Sequence, residues 1–404
     1  MGVAHTRRRP KVVIVVPQTP AVAPPSHDPG SRIQDPGRFA FIIHPLRISD
    51  FARRYPVTRK LPERLVELAF RPVPPRMVSH ITGVRSATGA RAEGWFIGLP
   101  LTPRTLMDSP LEFVYRRLIQ CGRLAESLGA GIVGLGAFTK IVGDRGLTVA
   151  HNLRIAVTTG NSYTAATAVD GALLAAQRMG HEPANVTAAV VGATGSIGAV
   201  CSQILARSVG RLILVARTRE TLDALQARLR SAGPSTTLGA RRAEVRVETH
   251  VKAAVRMAEV ILTVSSATDV LIEPEDLRPG AVVCDVARPR NVSRLVYERR
   301  NDVLVIDGGV IEIPGEVDFG FDFGFPPRMT EACVAETILL ALEHRYENFT
   351  LGRDITLPQV EEIAALGRRH GFRLSGFRRF ERAIGDDEVE RIRQAARHGR
   401  FAQV

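Results

Sequence analysis

The chain has 404 residues, of which 45% are hydrophobic and 24% charged, and its formal net charge is +13. That length accommodates two α/β domains, and the excess of cations suits an acidic partner, net charge alone not choosing among nucleic acid, an anionic membrane surface, a phosphorylated cofactor and an acidic carrier protein; with the motifs below, nucleic acid is not expected. Four dispersed cysteines (Cys121, Cys201, Cys284 and Cys333) form no C-x-x-C pair, which excludes a dithiol or zinc site of that type and fits a reducing cytoplasm. No run reaches the roughly 18 apolar residues that a bilayer crossing needs, so membrane contact is at most peripheral. Arg7 to Lys11 followed by Val12 to Val16 has the outline of an export signal, but Pro17 ends it too soon.

Residues 1–37 are rich in proline and are expected to form a disordered extension. Phe39 to Ile43 reads as the first strand, with an amphipathic helix near Leu61 to Phe70. Val78 to Gly83 and Gly94 to Gly98 read as strands, Leu111 to Leu128 as a packed helix, and Gly131 to Gly136 and Ile155 to Gly160 as two further strands. An Ala-rich helix is predicted over Ser162 to Met179, with Asn161 or Ser162 as its cap.

From Val186 the pattern becomes regular, with strands expected near 187–191, 211–216, 244–248, 260–264, 281–285 and 303–306, separated by helical segments. Such repetition predicts a doubly wound parallel Rossmann sheet, preceded by a smaller α/β substrate domain and followed by a C-terminal helical segment. The boundaries read as 38–165, 166–325 and 326–375, with an Arg-rich tail over 376–404. A last long helix is predicted over Met329 to Tyr346.

Strand residues Ala188 to Val191 run into Gly192-Ala193-Thr194-Gly195-Ser196-Ile197-Gly198 and then into a helix. Gly192 permits a tight turn, Gly195 lets a pyrophosphate approach the backbone, and Gly198 lets the helix pack closely. The next strand ends at Arg217-Thr218, about 25 residues beyond Gly192, with no carboxylate for a 2′-hydroxyl. An arginine there suits a 2′-phosphate and points to NADP(H), although a solvated strand end would also explain it.

Cys333 is predicted in the opening turns of its helix, where the dipole would favour a thiolate; packing in the core is the commoner role of such a cysteine. Thr159, Gly160, Asn161 and Ser162 stand at a strand-to-helix junction and are candidates for holding a substrate carbonyl, or simply for capping. Glu93, His44, His80, Lys140 and Asp144 are further candidate proton donors or orienting groups. Phe319, Phe321, Phe323 and Phe325 would share one face if extended, as core or as the wall of an acyl channel. The residue types do not indicate a metal site.

Together, Ile81-Thr82-Gly83, Ala92-Glu93-Gly94, Leu135 to Phe138, Thr158 to Asn161, the glycine loop, Ala332 to Glu336 and Asn348 to Arg353 resemble the long-chain acyl-(acyl-carrier-protein) reductases. The resemblance implies that Cys333 carries the acyl group, that NADPH reduces it to a fatty aldehyde, and that the partners are a long-chain acyl thioester on an acidic carrier protein or coenzyme A. Magnesium is a further implied cofactor. Two alternatives stand beside it: a shikimate-type dehydrogenase without covalent catalysis, and a non-catalytic NADP(H) sensor.

Overall fold

The computed structural model describes residues 35–231, 243–267, 269–379 and 382–401. The proline-rich extension up to residue 34 and the end of the Arg-rich tail lie outside the described residues. The first strands are β1 (Gly37–Ile43), β2 (Arg76–Arg85), β3 (Arg91–Gly98), β4 (Ile132–Leu135) and β5 (Ala156–Thr158). A regular series follows: β6 (Thr187–Val191), β7 (Arg211–Val215), β8 (Glu244–Glu248), β9 (Val260–Thr263), β10 (Val282–Asp285) and β11 (Leu304–Asp307). Three short strands then come in quick succession: β12 (Val310–Glu312), β13 (Gly315–Asp318) and β14 (Met329–Glu331).

The series β6 to β11 forms one fully parallel sheet in the order β11-β10-β9-β6-β7-β8. Its order reverses between β6 and β9, the switch point at which a Rossmann sheet opens a crevice beyond its strand ends. All five residues of β6 are buried, as expected for a strand covered by helices on both faces. The other large sheet runs β13-β2-β3-β1-β4-β5, parallel through β3, β1, β4 and β5 and antiparallel at β2 and β13. Strand β13 comes from the segment grouped by sequence with the Rossmann unit, yet it pairs at the edge of the other sheet.

One hydrophobic core runs through both sheets, from Phe39 and Phe41 to Val190 and Leu304. Two helices hold it together. Asn161–Arg178 buries most of its residues between the sheets. Ala332–Leu342 has all 11 residues buried and lies against β1 and β4. Small residues permit that approach: a Cβ on Gly37 would overlap the Ala341 carbonyl, and one on Gly134 would overlap Thr337 Oγ1.

Several local expectations change. The last helix starts at Ala332 rather than Met329 and ends at Leu342, because Met329 to Glu331 pair with β12 as β14. The helix before Phe70 begins at Glu63, after a 3-10 turn from Pro56 to Lys60. The phenylalanine segment is not extended. Asp318 and Asp322 carboxylates accept from Gly320 N–H (2.8 Å) and Gly324 N–H (2.9 Å), folding it into turns that gather Phe319, Phe321 and Phe323 around Phe96.

Candidate functional site

At the C-terminal end of β6, Gly192 adopts φ +88°, and the N–H groups of Gly192 and Ala193 both donate to the Val215 carbonyl, at 2.8 and 3.0 Å. Gly195 N–H then closes on the Gly192 carbonyl at 3.0 Å, and the helix Ser196–Leu205 starts. A Cβ at Gly198 would overlap that same carbonyl, so the close strand-to-helix packing requires glycine there. Helix geometry leaves the first N–H groups, on Ser196, Ile197 and Gly198, without intrahelical acceptors. Thr194 and Gly195 are exposed, and the buried Ser196 hydroxyl has no partner among the described residues. This donor-rich cradle, free of carboxylates, fits a pyrophosphate. Arg217 and Thr218 lie exposed just past β7, and Arg217 makes no ion pair among the described residues.

Cys333 is the second residue of its helix and 4% exposed. Ala332 N–H donates to the Gly309 carbonyl just beyond β11 at 2.7 Å, and Gly160, just beyond β5, lies so close that a Cβ on it would overlap Cys333 Cα and Cβ. The thiol therefore sits where the ends of the two sheets meet. Its Sγ donates to Glu331 Oε2 at 3.7 Å, and Arg288 Nε stands 3.8 Å from Glu331 Oε1. Arg288 follows β10, so the Rossmann crevice contributes directly to the surroundings of the thiol.

The electrostatics correct the expectation of a dipole-favoured thiolate. Burial pushes the Cys333 thiol up to about 12; the Lys140 ammonium pulls it down, and the Glu331 and Glu336 carboxylates push it up. Loss of hydration outweighs the helix start. Alkylation of Cys333 by iodoacetamide should therefore accelerate steadily with pH through the alkaline range, about tenfold per unit, as the thiolate fraction rises. Peptide mass analysis against time would check this, and a plateau near neutrality would contradict it. The peptide assignment matters because Cys121, Cys201 and Cys284 are also buried and their thiols are shifted upward by burial.

Behind the thiol, Glu336 is fully buried and accepts from Thr158 Oγ1 at 2.5 Å and Tyr163 N–H at 2.8 Å. Burial raises this carboxyl, while the bonds from Thr158 and Tyr163 lower it. Thr159 Oγ1 donates to the Thr350 carbonyl, and Ser162 Oγ pairs with Thr350 Oγ1 at 2.7 Å. Neither Asn161 nor Ser162 caps the helix: the cap is Gly160, at φ +70°, with no side-chain cap bond. Asn161 is buried and its Oδ1 has no partner among the described residues.

His44, at the end of β1, accepts from Phe138 N–H at 3.1 Å, and its Nδ1 faces the Pro45 carbonyl at 3.1 Å. Burial lowers it to about 4, so the ring is neutral and both nitrogens are engaged. The remaining candidates lie elsewhere. Glu93 pairs with Arg38 at 3.0 Å at the opening of β1, about 20 Å along the strand from His44. His80 stacks on Trp95, and Asp144 accepts from Thr148 N–H. Among the described residues, no three His, Cys, Asp or Glu side chains gather to hold a cation.

Sequence reasoning did not single out Glu331 or Arg288. Glu331 was legible as the carboxylate two residues before the thiol; Arg288 carries no local signal and reaches the site only through the fold.

No family model matches the chain. It is 34% identical over 314 residues to the long-chain acyl-[acyl-carrier-protein] reductase of Synechococcus elongatus, covering 74% of this chain and 87% of that one. The chain belongs to the long-chain acyl-[acyl-carrier-protein] reductase family. This family membership makes it an oxidoreductase, in keeping with the Rossmann sheet. It is also 33% identical over 299 residues to the aminotransferase PigE of a Serratia strain, covering 72% of this chain and spanning only 33% of that protein's length. Among solved structures, L-tryptophan dehydrogenase from Nostoc punctiforme aligns at a TM-score of 0.36 and 11% identity over 91% of this chain and 89% of its own. Quinate dehydrogenase from Corynebacterium glutamicum aligns at 0.34 and 14%, over 67% and 88%. Similarity at that depth adds nothing to what the strand order already shows.

Proposed function

We propose that the chain reduces a long-chain acyl thioester, carried by acyl carrier protein or coenzyme A, to a fatty aldehyde with NADPH through an acyl-Cys333 intermediate. The observation that carries this reading is the position of the Cys333 thiol at the meeting of the two sheets, within reach of the Glu331 carboxylate. In this reading residues 38–165 hold the acyl thioester, 166–325 hold the cofactor and 326–375 supply the thiol.

Cys333 Sγ attacks the thioester carbonyl while Glu331 takes its proton, with Arg288 and Lys140 offsetting the negative charge. The carrier leaves as a thiolate and recovers that proton. The product is itself a thioester, so the carbonyl stays electrophilic. When bound, NADPH supplies the hydride, with its pyrophosphate on Gly192 to Gly198. The N–H groups of Cys333 and Val334 and the Asn161 amide would stabilise the resulting oxyanion. Collapse releases the aldehyde and returns Cys333 as a thiolate, which takes a proton from solvent through Glu331.

Incubating the purified protein with a long-chain acyl-carrier-protein thioester and NADPH should yield one aldehyde per NADPH oxidised, measured by gas chromatography and absorbance. Tight NADPH binding with neither oxidation nor aldehyde would overturn the proposal. Arg217→Asp should weaken NADPH about 10- to 100-fold, the loss of a charge-assisted contact, and leave NADH affinity nearly unchanged. Fluorescence titration of both cofactors measures the ratio, and an equal loss for both would argue against a 2′-phosphate contact.

A further inference from the structure

The segment from Val57 to Phe70 carries apolar residues on two faces. Val66 is buried, and Phe70 packs on Phe51 and Tyr55 with ring centroids 4.2 and 5.3 Å apart, so this side faces the core. On the side away from it, Leu65 and Leu68 are three residues apart on one helix face and are 53% and 64% exposed. Val57 and Leu61, just before the helix, are 66% and 43% exposed. Large apolar side chains presented to solvent at this density mark a contact surface rather than a chance exposure.

Cations fringe this ridge. Arg59, Lys60 and Arg64 are exposed and make no ion pair among the described residues. The acidic residues of the helix are Glu63, which is exposed, and Glu67, which accepts from Thr102 Oγ1 at 2.6 Å. An apolar ridge bordered by unpaired cations is the pattern of a helix lying in a bilayer interface, its leucines inserted and its cations among anionic headgroups. Pairing with a second copy about a two-fold axis would oppose Arg59, Lys60 and Arg64 to the same charges. No helix of the described residues is long and apolar enough to cross a membrane, so the contact would be peripheral.

We infer that Val57, Leu61, Leu65 and Leu68, with Arg59, Lys60 and Arg64, form a docking surface for an anionic lipid bilayer. The inference rests on these residues alone and does not require the acyl chemistry. The surface follows closely on the end of β1 and His44, so a docked molecule would hold that end of the sheet near the lipid, which suits the proposed water-insoluble product.

Flotation of the full chain with vesicles tests it. Phosphatidylcholine vesicles containing one-third phosphatidylglycerol should carry the protein upward, and pure phosphatidylcholine vesicles should carry much less. Added salt should reduce the floated fraction. The double substitutions L65Q/L68Q and K60E/R64E should each weaken partitioning at least about tenfold while leaving the melting temperature unchanged, since all four side chains are exposed. Failure of the wild type to float with anionic vesicles at low salt, or variants that float like the wild type, would overturn the inference. So would a wild-type dimer that L65Q/L68Q converts to monomer with no vesicle binding in either form. Aldehyde formation from a soluble acyl thioester in K60E/R64E should match the wild type, so a failure of docking and a failure of the proposed chemistry are read separately.

Discussion

Cys333→Ala should abolish acyl transfer to the protein and lower aldehyde formation by about a thousandfold or more, because a covalent route offers no substitute nucleophile once its thiol is gone. Mixed with a long-chain acyl thioester in the absence of NADPH, the wild-type chain should gain the mass of one acyl group, and the variant should gain none. Replacing a small buried thiol with a methyl group changes little volume, so the variant should fold and still bind NADPH. That separation matters. A wild type that makes aldehyde without ever showing the adduct, or a variant that still acylates, would remove Cys333 from the mechanism and leave direct hydride transfer.

The second large effect is expected at Gly160. Its φ of +70° disfavours any residue with a Cβ, and that Cβ would overlap backbone and side-chain atoms of Cys333. Gly160→Ala should therefore destabilise the chain by about 2–4 kcal/mol from left-handed strain and overpacking together. It should also displace the thiol enough to lower turnover about a hundredfold. Gly89→Ala is the control: its φ is +87°, but the space beside it is open, so only the conformational part, about 1 kcal/mol, should appear. Thermal melts and aldehyde assays on the two variants would discriminate. Equal losses in both would mean that contact with Cys333 carries no weight.

The fold was legible where periodicity and punctuation agreed. The alternation after Val186 and the glycine loop gave the parallel sheet nearly residue by residue, since both signals are local. Strand β13 and the length of the last helix were not legible. Met329 to Glu331 form a strand because β12 lies beside them, which is a long-range fact that no local pattern encodes. In the site, the packing of the two sheets sets Gly160 against Cys333, whereas strand register puts Glu93 opposite Arg38 at the opening of β1. The state of the thiol was misjudged for a related reason. A helix start can be read in sequence, but the loss of water around Sγ follows from packing of two sheets that the sequence does not show.

The wholly buried helix Ala332–Leu342 has a consequence for how the molecule is made. It fills the face of β1 and β4, strands synthesised about three hundred and about two hundred residues earlier, and β13 completes the edge of the same sheet. As the chain emerges from a ribosome, the Rossmann strands can pair among themselves as soon as β11 is out. The older sheet must wait with Phe39, Phe41 and Ile132 uncovered until residue 342 has been added. The half made first is thus the half finished last, and its slow closure in late synthesis is the stage most exposed to aggregation.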